Sequence, residues 1–333
     1  MTERILITGG SGFLGSALTR RLAATGHDVV VLDNNSRGDV GRLADLLDEL
    51  TFIEADIRDG RAVAEAMAGC DCVFHLAFVN GTRFFYEQPD LVLDVGVKGA
   101  LATIEAARDQ GVGTYILASS SEIYQQPETI PTPESERAIV PDVRNPRFSY
   151  AGGKLISELL AVNFFRDTPV RDMVFRPHNV FGPDMGFEHV IPELMAKLCD
   201  ATDGWARDEA AIEIQGSGEE TRAFCYVEDA VDQLMAVYDH GQKGEIYHIG
   251  IDREQTLREL IARMGAILGL RIAVSPGRPR DGGTSRRCPD IAKIQSLGYV
   301  RRDRFDEGLA RTLDWYKAYF ADQHDAAHAA GRG

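Results

Sequence analysis

Six short apolar runs alternate with amphipathic stretches through the first half of the chain: "RILIT" (4–8), "DVVVLD" (28–33), "TFIEAD" (51–56), "CVFHLA" (72–77), "TYILAS" (114–119) and "RDMVFR" (171–176). Strands separated by helical stretches pair in parallel, because the chain must cross back over the sheet before it can run in the same direction again. Near-continuous apolar runs also mean that both faces of the sheet are covered. The pattern predicts an α/β fold with a doubly wound parallel sheet. The stretch 89–110 opens on Pro89, carries Leu91, Val92, Val95, Ala102, Ile104 and Ala106, and stops before Gly111, which predicts a single helix.

After about residue 180 the alternation loosens into "FGPDMGFEHVIPEL", "QGSGEETRAF" and "SPGRPRDGGTSRRCPD", loops rich in Pro, Gly and Arg that read as binding loops. "VEDAVDQLMAVY" and "EIYHIG" have the helix and strand patterns to return to the first sheet. The expected organisation is a nucleotide-binding domain at 1–177 with returns near 223–250, a smaller, discontinuous mixed α/β substrate domain at 178–322, and a frayed tail at 323–333. The tail's His324 and His328 read as solvated.

Thirty-six basic residues against 51 acidic ones give a net charge of -15, which argues against nucleic acid or an anionic membrane surface as partner. An anionic substrate would need arginines gathered locally. The opening "MTERILITGG" enters a strand at once and no run is long enough to cross a bilayer, so a cytoplasmic protein is expected. Cys70, Cys72, Cys199, Cys225 and Cys288 are scattered and odd in number, as free buried thiols would be, and no metal site is expected.

The first strand runs into "TGGSGFLGSALTRRLAATGH", where Gly9, Gly12 and Gly15 follow a strand and open a helix. Glycines there let the backbone turn tightly and approach a pyrophosphate whose charge sits at the helix N-terminus. Asp33 closes the next strand, about 20 residues on as a ribose contact requires. Its carboxylate accepts from both ribose hydroxyls and repels a 2'-phosphate, which favours NAD. Arg37 reads as a solvated loop charge. Asp56 and Ile57 after the third strand either flank an adenine or form an ordinary strand end.

In "RFSYAGGKLISELLAVNFF", Tyr150 and Lys154 are four apart and share one helix face. An ammonium within about 4–6 Å lowers a phenol's pKa from near 10 by roughly 1–3 units, towards the range of a general base. "ASSSEIYQ" (118–125) packs three hydroxyls and a carboxylate at the end of a buried strand, an arrangement that is costly unless something satisfies or uses those groups.

With "TGGSGFLG", "LDNNSRG", "VFHLA", "SSSEIY", "YAGGK", "RPHNVFGP", "GSGEETRAFCYVEDAVD", "YHIG" and "RRCPDI" in that order, the chain resembles the extended short-chain dehydrogenase/reductase family of nucleotide-sugar epimerases, dehydratases and decarboxylases. The resemblance implies a Rossmann-type domain holding NAD through Gly9, Gly12, Phe13, Leu14, Gly15, Asp33, Asn34, Asp56, Ile57, Leu76, Ala77, Tyr150 and Lys154. By the same resemblance Tyr150 is the general base, Lys154 orients the nicotinamide ribose and lowers the Tyr150 pKa, and Ser120 bonds the sugar O4. Asn179 and Arg222 face the substrate diphosphate, and Arg287 the diphosphate or the sugar. It also implies a homodimer built on the helices around 89–110 and 149–165.

An epimerase needs only Ser120, Tyr150 and Lys154. Glu122 would be surplus there, whereas a 4,6-dehydratase or a UDP-glucuronate decarboxylase uses a carboxylate at C5. Ser121 occupies the place of the acid that protonates a departing O6 in one branch of dehydratases. Two departures bear on the pocket: Gly96 stands where the family usually has a bracing Asn, and Gln125 where it usually has Gly. Arg83 and Tyr86 are within reach of a sugar or part of aromatic packing, and His75, His178 and His189 read as structural. The expected function is an NAD-dependent nucleotide-sugar epimerase, with the dehydratase or decarboxylase as alternative. A noncatalytic NAD-binding scaffold is the rival of another class.

Overall fold

Each of the six apolar runs forms a strand. In the computed structural model, which describes residues 2–278 and 284–330, β1 (Arg4–Thr8) leads into α1 (Phe13–Ala24), β2 (Asp28–Asp33), β3 (Thr51–Glu54), α2 (Gly60–Met67) and β4 (Cys72–His75). Next come α3 (Thr82–Glu87), α4 (Pro89–Leu93), a π-helical turn at Asp94–Lys98, α5 (Gly99–Gln110), β5 (Thr114–Ala118), α6 (Ser149–Phe165) and β6 (Arg171–Pro177). The second half holds β7 (Val180–Phe181), α7 (Val190–Ala201), β8 (Glu209–Ile214), β9 (Thr221–Arg222), β10 (Cys225–Tyr226), α8 (Val227–His240) and β11 (Glu245–Ile249). It closes with β12 (Gln255–Thr256), α9 (Leu257–Leu268), β13 (Arg271–Pro276), β14 (Arg286–Arg287), α10 (Ala292–Ser296) and α11 (Phe305–Ala330).

Seven strands pair in parallel in the order β11-β6-β5-β4-β1-β2-β3, a Rossmann-type sheet. Alternate residues of β1 face opposite layers: Ile5 and Ile7 join the α1 and α8 side, and Leu6 joins the α2 and α5 side. The chain moves outward from β1 to β2 and β3, then crosses back to β4. Ligands of open parallel sheets bind at the carboxyl ends of strands where the order reverses, here between β1 and β4. A third apolar cluster joins α7, α9 and α11 to β8 and β10, away from the sheet.

The stretch 89–110 is helical throughout, as expected, but its middle winds as a π-helical turn at Asp94–Lys98, in which Gly96 packs against the ring of Phe78. Residues 323–330, expected to fray, continue α11, and His324 Nε2 lies 3.7 Å from Asp203. Residues 331–333 of that tail, and 279–283 of the "SPGRPRDGGTSRRCPD" loop, lie outside the described residues. Among the described residues no helix is long and apolar enough to cross a membrane. All five cysteines are free and buried.

Candidate active site

The loop from β1 to α1 carries the first part of the site. Gly9 has φ +75°, a left-handed conformation that favours glycine, and a Cβ there would come 2.7 Å from the Ala77 nitrogen. Leu76 and Ala77 therefore lie directly under the loop, with the Leu76 N–H donating to the Thr8 carbonyl at 3.0 Å. A methyl group on Gly15 would overlap the Gly9 carbonyl, so both glycines are dictated by close approach. Gly12 caps α1 without any side-chain hydrogen bond, and no acidic residue stands in the first turn, where Phe13 and Leu14 are half-buried. Free N–H groups and the helix dipole make that end a receptor for an anion.

Asp33, buried at the end of β2, accepts from the Ser11 N–H at 3.0 Å and the Asn35 N–H at 2.9 Å. Each carboxylate oxygen keeps a lone pair for a hydroxyl. Asn34 donates to Asp56 at 3.3 Å, and the Arg58 guanidinium, 2.7 Å from Asp56, holds that carboxyl below its usual range. Ile57 is buried beneath Gly99 of α5. These residues fit NAD: an uncapped helix end for the pyrophosphate, and a buried carboxylate for the ribose that would repel a 2'-phosphate. Arg37, read as a solvated charge, is exposed, with its guanidinium over Phe84 at 4.8 Å and facing Glu188.

At the ends of β5 and β6 the polar groups of "ASSSEIYQ" find their places. Ser120 caps the short 3-10 turn at Ser121–Tyr124 by accepting from the Glu122 N–H at 3.1 Å, and its hydroxyl is near enough to Tyr150 at the start of α6 to lower that phenol's pKa. Ser121 is buried. One turn along α6 from Tyr150, Lys154 donates to the Ala118 carbonyl at 2.7 Å, and its Nζ lies 4.0 Å from the Phe78 ring centroid and 5.9 Å from that of Tyr150. Burial pulls the Lys154 ammonium down to about 7, against the opposing charge of Glu158.

Tyr150 departs from expectation. Burial pushes its phenol up to about 12, with Ser120 lowering it and the charge of Glu122 raising it. The rings of Phe85 (4.9 Å, stacked) and Phe78 (5.2 Å, edge-on) exclude water from it, and that desolvation sets the direction of the shift. The aromatic segment around residue 85 thus packs on the site. Arg83 and Tyr86 are both exposed, and Arg83 faces Glu87 and Glu188.

Glu122 is held by Arg287, whose Nη1 lies 2.5 Å from its carboxylate. Arg287, then Arg147 and Arg222, hold the Glu122 carboxyl below its usual range, although burial opposes them. Arg287 and Arg222 are register partners across β14 and β9, which sets two guanidiniums side by side. Burial and the neighbouring Arg287 lower Arg222 to about 10, and its donors go to the carbonyls of Thr221 and Thr284, both at 2.7 Å. Asn179, with φ +42°, has a buried side-chain amide nitrogen without a partner among the described residues, as do the hydroxyls of Ser119 and Ser149. Unpaired buried polar groups such as these suit a polar ligand.

Arg147, Phe78 and Phe85 escaped sequence reasoning. Arg147 had a usable signal: it stands one helical turn ahead of Tyr150, just after a proline. The two phenylalanines lie in the aromatic segment 78–89, read as packing, and what the sequence did not show is that they pack on Tyr150. His75, His178 and His248 are buried and held neutral, with His75 hydrogen-bonded to Thr8.

A glycine loop at the switch point, an acidic strand end and a Ser, Tyr and Lys cluster define a nucleotide-binding oxidoreductase-type site. The chain belongs to the NAD-dependent epimerase/dehydratase family, whose model matches residues 5–250. It is 30% identical to a dTDP-glucose 4,6-dehydratase from Streptomyces antibioticus, over 94% of this chain and 92% of that one. It is 28% identical to a UDP-N-acetyl-alpha-D-glucosaminuronate decarboxylase from Bacillus cytotoxicus, over 95% and 98% of the two chains. The crystal structure of a UDP-glucose 4-epimerase from Thermotoga maritima with UDP-glucose superposes with a TM-score of 0.83 at 26% identity, covering 95% of this chain and 99% of that one. The chain is an enzyme of this family with NAD as its cofactor, which sets the noncatalytic scaffold aside.

Proposed function

We propose that the protein is a cytoplasmic nucleotide-sugar 4-epimerase. In this reading Tyr150, through Ser120, takes the proton of the sugar C4 hydroxyl and returns it once the C4 ketone has turned its other face. A bound NAD supplies the hydride chemistry, removal at C4 and its return. Lys154 holds a positive charge at the cofactor ribose. Gly9, Gly12, Gly15 and Asp33 hold the cofactor, with Phe13, Leu14, Asn34, Asp56, Ile57, Leu76 and Ala77 around them.

Asn179, Arg222 and Arg287, together with Arg147, hold the substrate diphosphate. Arg147, Arg222 and Arg287 all act on the Glu122 carboxylate, and guanidinium forks suit the bidentate contacts of a diphosphate. Adjacent like charges on paired strands are unfavourable without such an anion.

The observation that carries the epimerase reading is the Glu122–Arg287 ion pair. Removing a proton from C5, as a dehydratase must, calls for a carboxylate of raised basicity. Glu122 is shifted the opposite way and spends one oxygen on a guanidinium. The second reading, a 4,6-dehydratase or uronate decarboxylase using Glu122 and Ser121 at C5, is favoured by the position of Glu122, close enough to Tyr150 to act on its charge. The two are separated by incubating the NAD-loaded protein with UDP, GDP, CDP and dTDP sugars and identifying products by proton NMR. A C4 epimer is expected; a 4-keto-6-deoxy sugar or loss of carbon dioxide would overturn the proposal.

The same reading includes a homodimer. Ile156 and Leu159 of α6 and Leu93 of α4 are 40%, 57% and 37% exposed, an apolar surface that a second copy would cover. Light scattering should give twice the chain mass, and Leu159→Glu should shift it towards the monomer.

A further inference from the structure

We propose that Phe78 is a positioning residue for Lys154, its ring face holding the lysine ammonium at the strand end in a space that Gly96 and Gly153 keep open. The inference rests on the reading of Lys154 as an active-site group.

A lysine ammonium has three N–H donors and no acceptor. One donor of Lys154 is used on the Ala118 carbonyl at 2.7 Å. The Phe78 ring covers another side, with its centroid 4.0 Å from Nζ, well inside the range in which an aromatic face attracts a cation. Lys154 is buried, so water does not compete for the ammonium and the ring's attraction is at the strong end of its range. Fixing two sides of the ammonium leaves one donor with a set direction.

Phe78 is itself fixed on three sides. It meets Tyr150 edge-on, with centroids 5.2 Å apart at 84°. A methyl group on Gly96 would overlap the ring, and a Cβ on Gly153 would come 3.0 Å from it. Gly153 lies within α6 and Gly96 within the π-helical turn, and neither has a positive φ, so backbone conformation does not require glycine at either place. Glycine weakens a helix interior, and at both positions the compensation is room for the same ring. Local π-helical turns occur often at functional sites, and this one lies beside the ring that touches the lysine. Phe78, Gly96 and Gly153 therefore form a matched set, with the Phe78 ring in the space that a side chain at residue 96 would fill.

Other charged groups face Lys154. Glu158 lies one turn along α6 and raises its pKa, and His75 of β4 is near enough to feel the ammonium's charge. Tyr150 stands on the same helix face, and Glu122 acts on Tyr150. Of these only Tyr150 touches the Phe78 ring, so Glu158, His75 and Glu122 are unchanged when the ring alone is altered.

The test replaces Phe78 by phenylalanine carrying one, two and three ring fluorines, a series that drains the ring face of negative charge at nearly constant shape. The readout is the titration of Lys154 in the full-length, NAD-bound protein, followed by NMR of lysine labelled with carbon-13 at Cε. Its resonance is assigned by its loss in Lys154→Arg. The proposal predicts a midpoint that falls stepwise along the series, by roughly half to one unit in all. It also predicts that Phe78→Leu falls at least as far as the trifluoro ring. A midpoint that is flat across the fluorinated series, or equal in Phe78→Leu and the parent, overturns it. The readout is independent of turnover: a stepwise titration without activity on any sugar supports the positioning role and removes the proposed function, and the converse result does the reverse.

Discussion

The carboxylate of Glu122 and the guanidinium of Arg287 are 165 residues apart in sequence and 2.5 Å apart in the fold. The Thr284 hydroxyl, which donates to the Gln125 carbonyl at 2.8 Å, and the Thr132–Pro289 bridge tie the two segments together, and the β9–β14 register sets Arg222 beside Arg287. Glu122→Gln removes the charge that anchors Arg287 and leaves the amide able to accept only a neutral hydrogen bond. On the epimerase reading KM for the nucleotide sugar changes several-fold while kcat falls less than tenfold. Steady-state kinetics check this; a fall in kcat of about 10²-fold or more would instead mark Glu122 as a proton-transfer group.

Tyr150→Phe deletes one hydroxyl from a buried ring that stays packed between Phe78 and Phe85. Proton transfer by a positioned side chain contributes about 10²–10⁴-fold. The expected result is a loss of kcat of that size with NAD still bound, read from the nucleotide that co-elutes with the protein.

Arg222→Ala removes a guanidinium that donates to the Thr221 and Thr284 carbonyls and stands beside the like-charged Arg287. Hydrogen bonds to charged groups are worth about 1.5–3 kcal/mol, so affinity for UDP or dTDP should fall roughly 10–100-fold, measured by calorimetry. Arg222→Lys separates the charge from the fork: it keeps the cation but loses bidentate contact, and should fall between parent and alanine.

Acid should destabilise the fold through its buried histidines. His75 and His248 are pulled down to about 3 by burial, from an ordinary value of 6.5. For His248 the hydrogen bonds fix the neutral form, since the Asp290 carbonyl can only accept from Nδ1 while Nε2 accepts from the Tyr124 hydroxyl. Both rings bind a proton when the chain unfolds. Their contribution is therefore complete above about pH 6.5 and is lost as pH falls towards about 3. Urea midpoints measured from pH 7 to 4 should drop with acidity, and His75→Gln or His248→Gln should flatten that slope.

Much of this molecule was legible in its sequence because local rules agreed with the global fold. The apolar runs at 4–8, 28–33 and 114–118 became parallel strands, and the glycines of "TGGSGFLG" met backbone where only hydrogen fits. What stayed hidden depended on contacts between distant residues. The stretch 89–110 has helical periodicity throughout, yet the ring of Phe78 lies against Gly96 at a π-helical turn. The upward shift of Tyr150 comes from rings at positions 78 and 85, which a Tyr-x-x-x-Lys spacing cannot reveal. Continuation of α11 through 323–330 was likewise unread in "DQHDAAHAA", whose composition alone suggested fraying.

The central claim is that Glu122, committed to Arg287, does not move a proton at C5. Turnover of the accepted nucleotide sugar in heavy water tests it directly, with the product examined by mass and proton NMR. The account predicts inversion at C4 with no deuterium at C5. Deuterium at C5, accompanied by a 4-keto-6-deoxy or decarboxylated sugar, would contradict it.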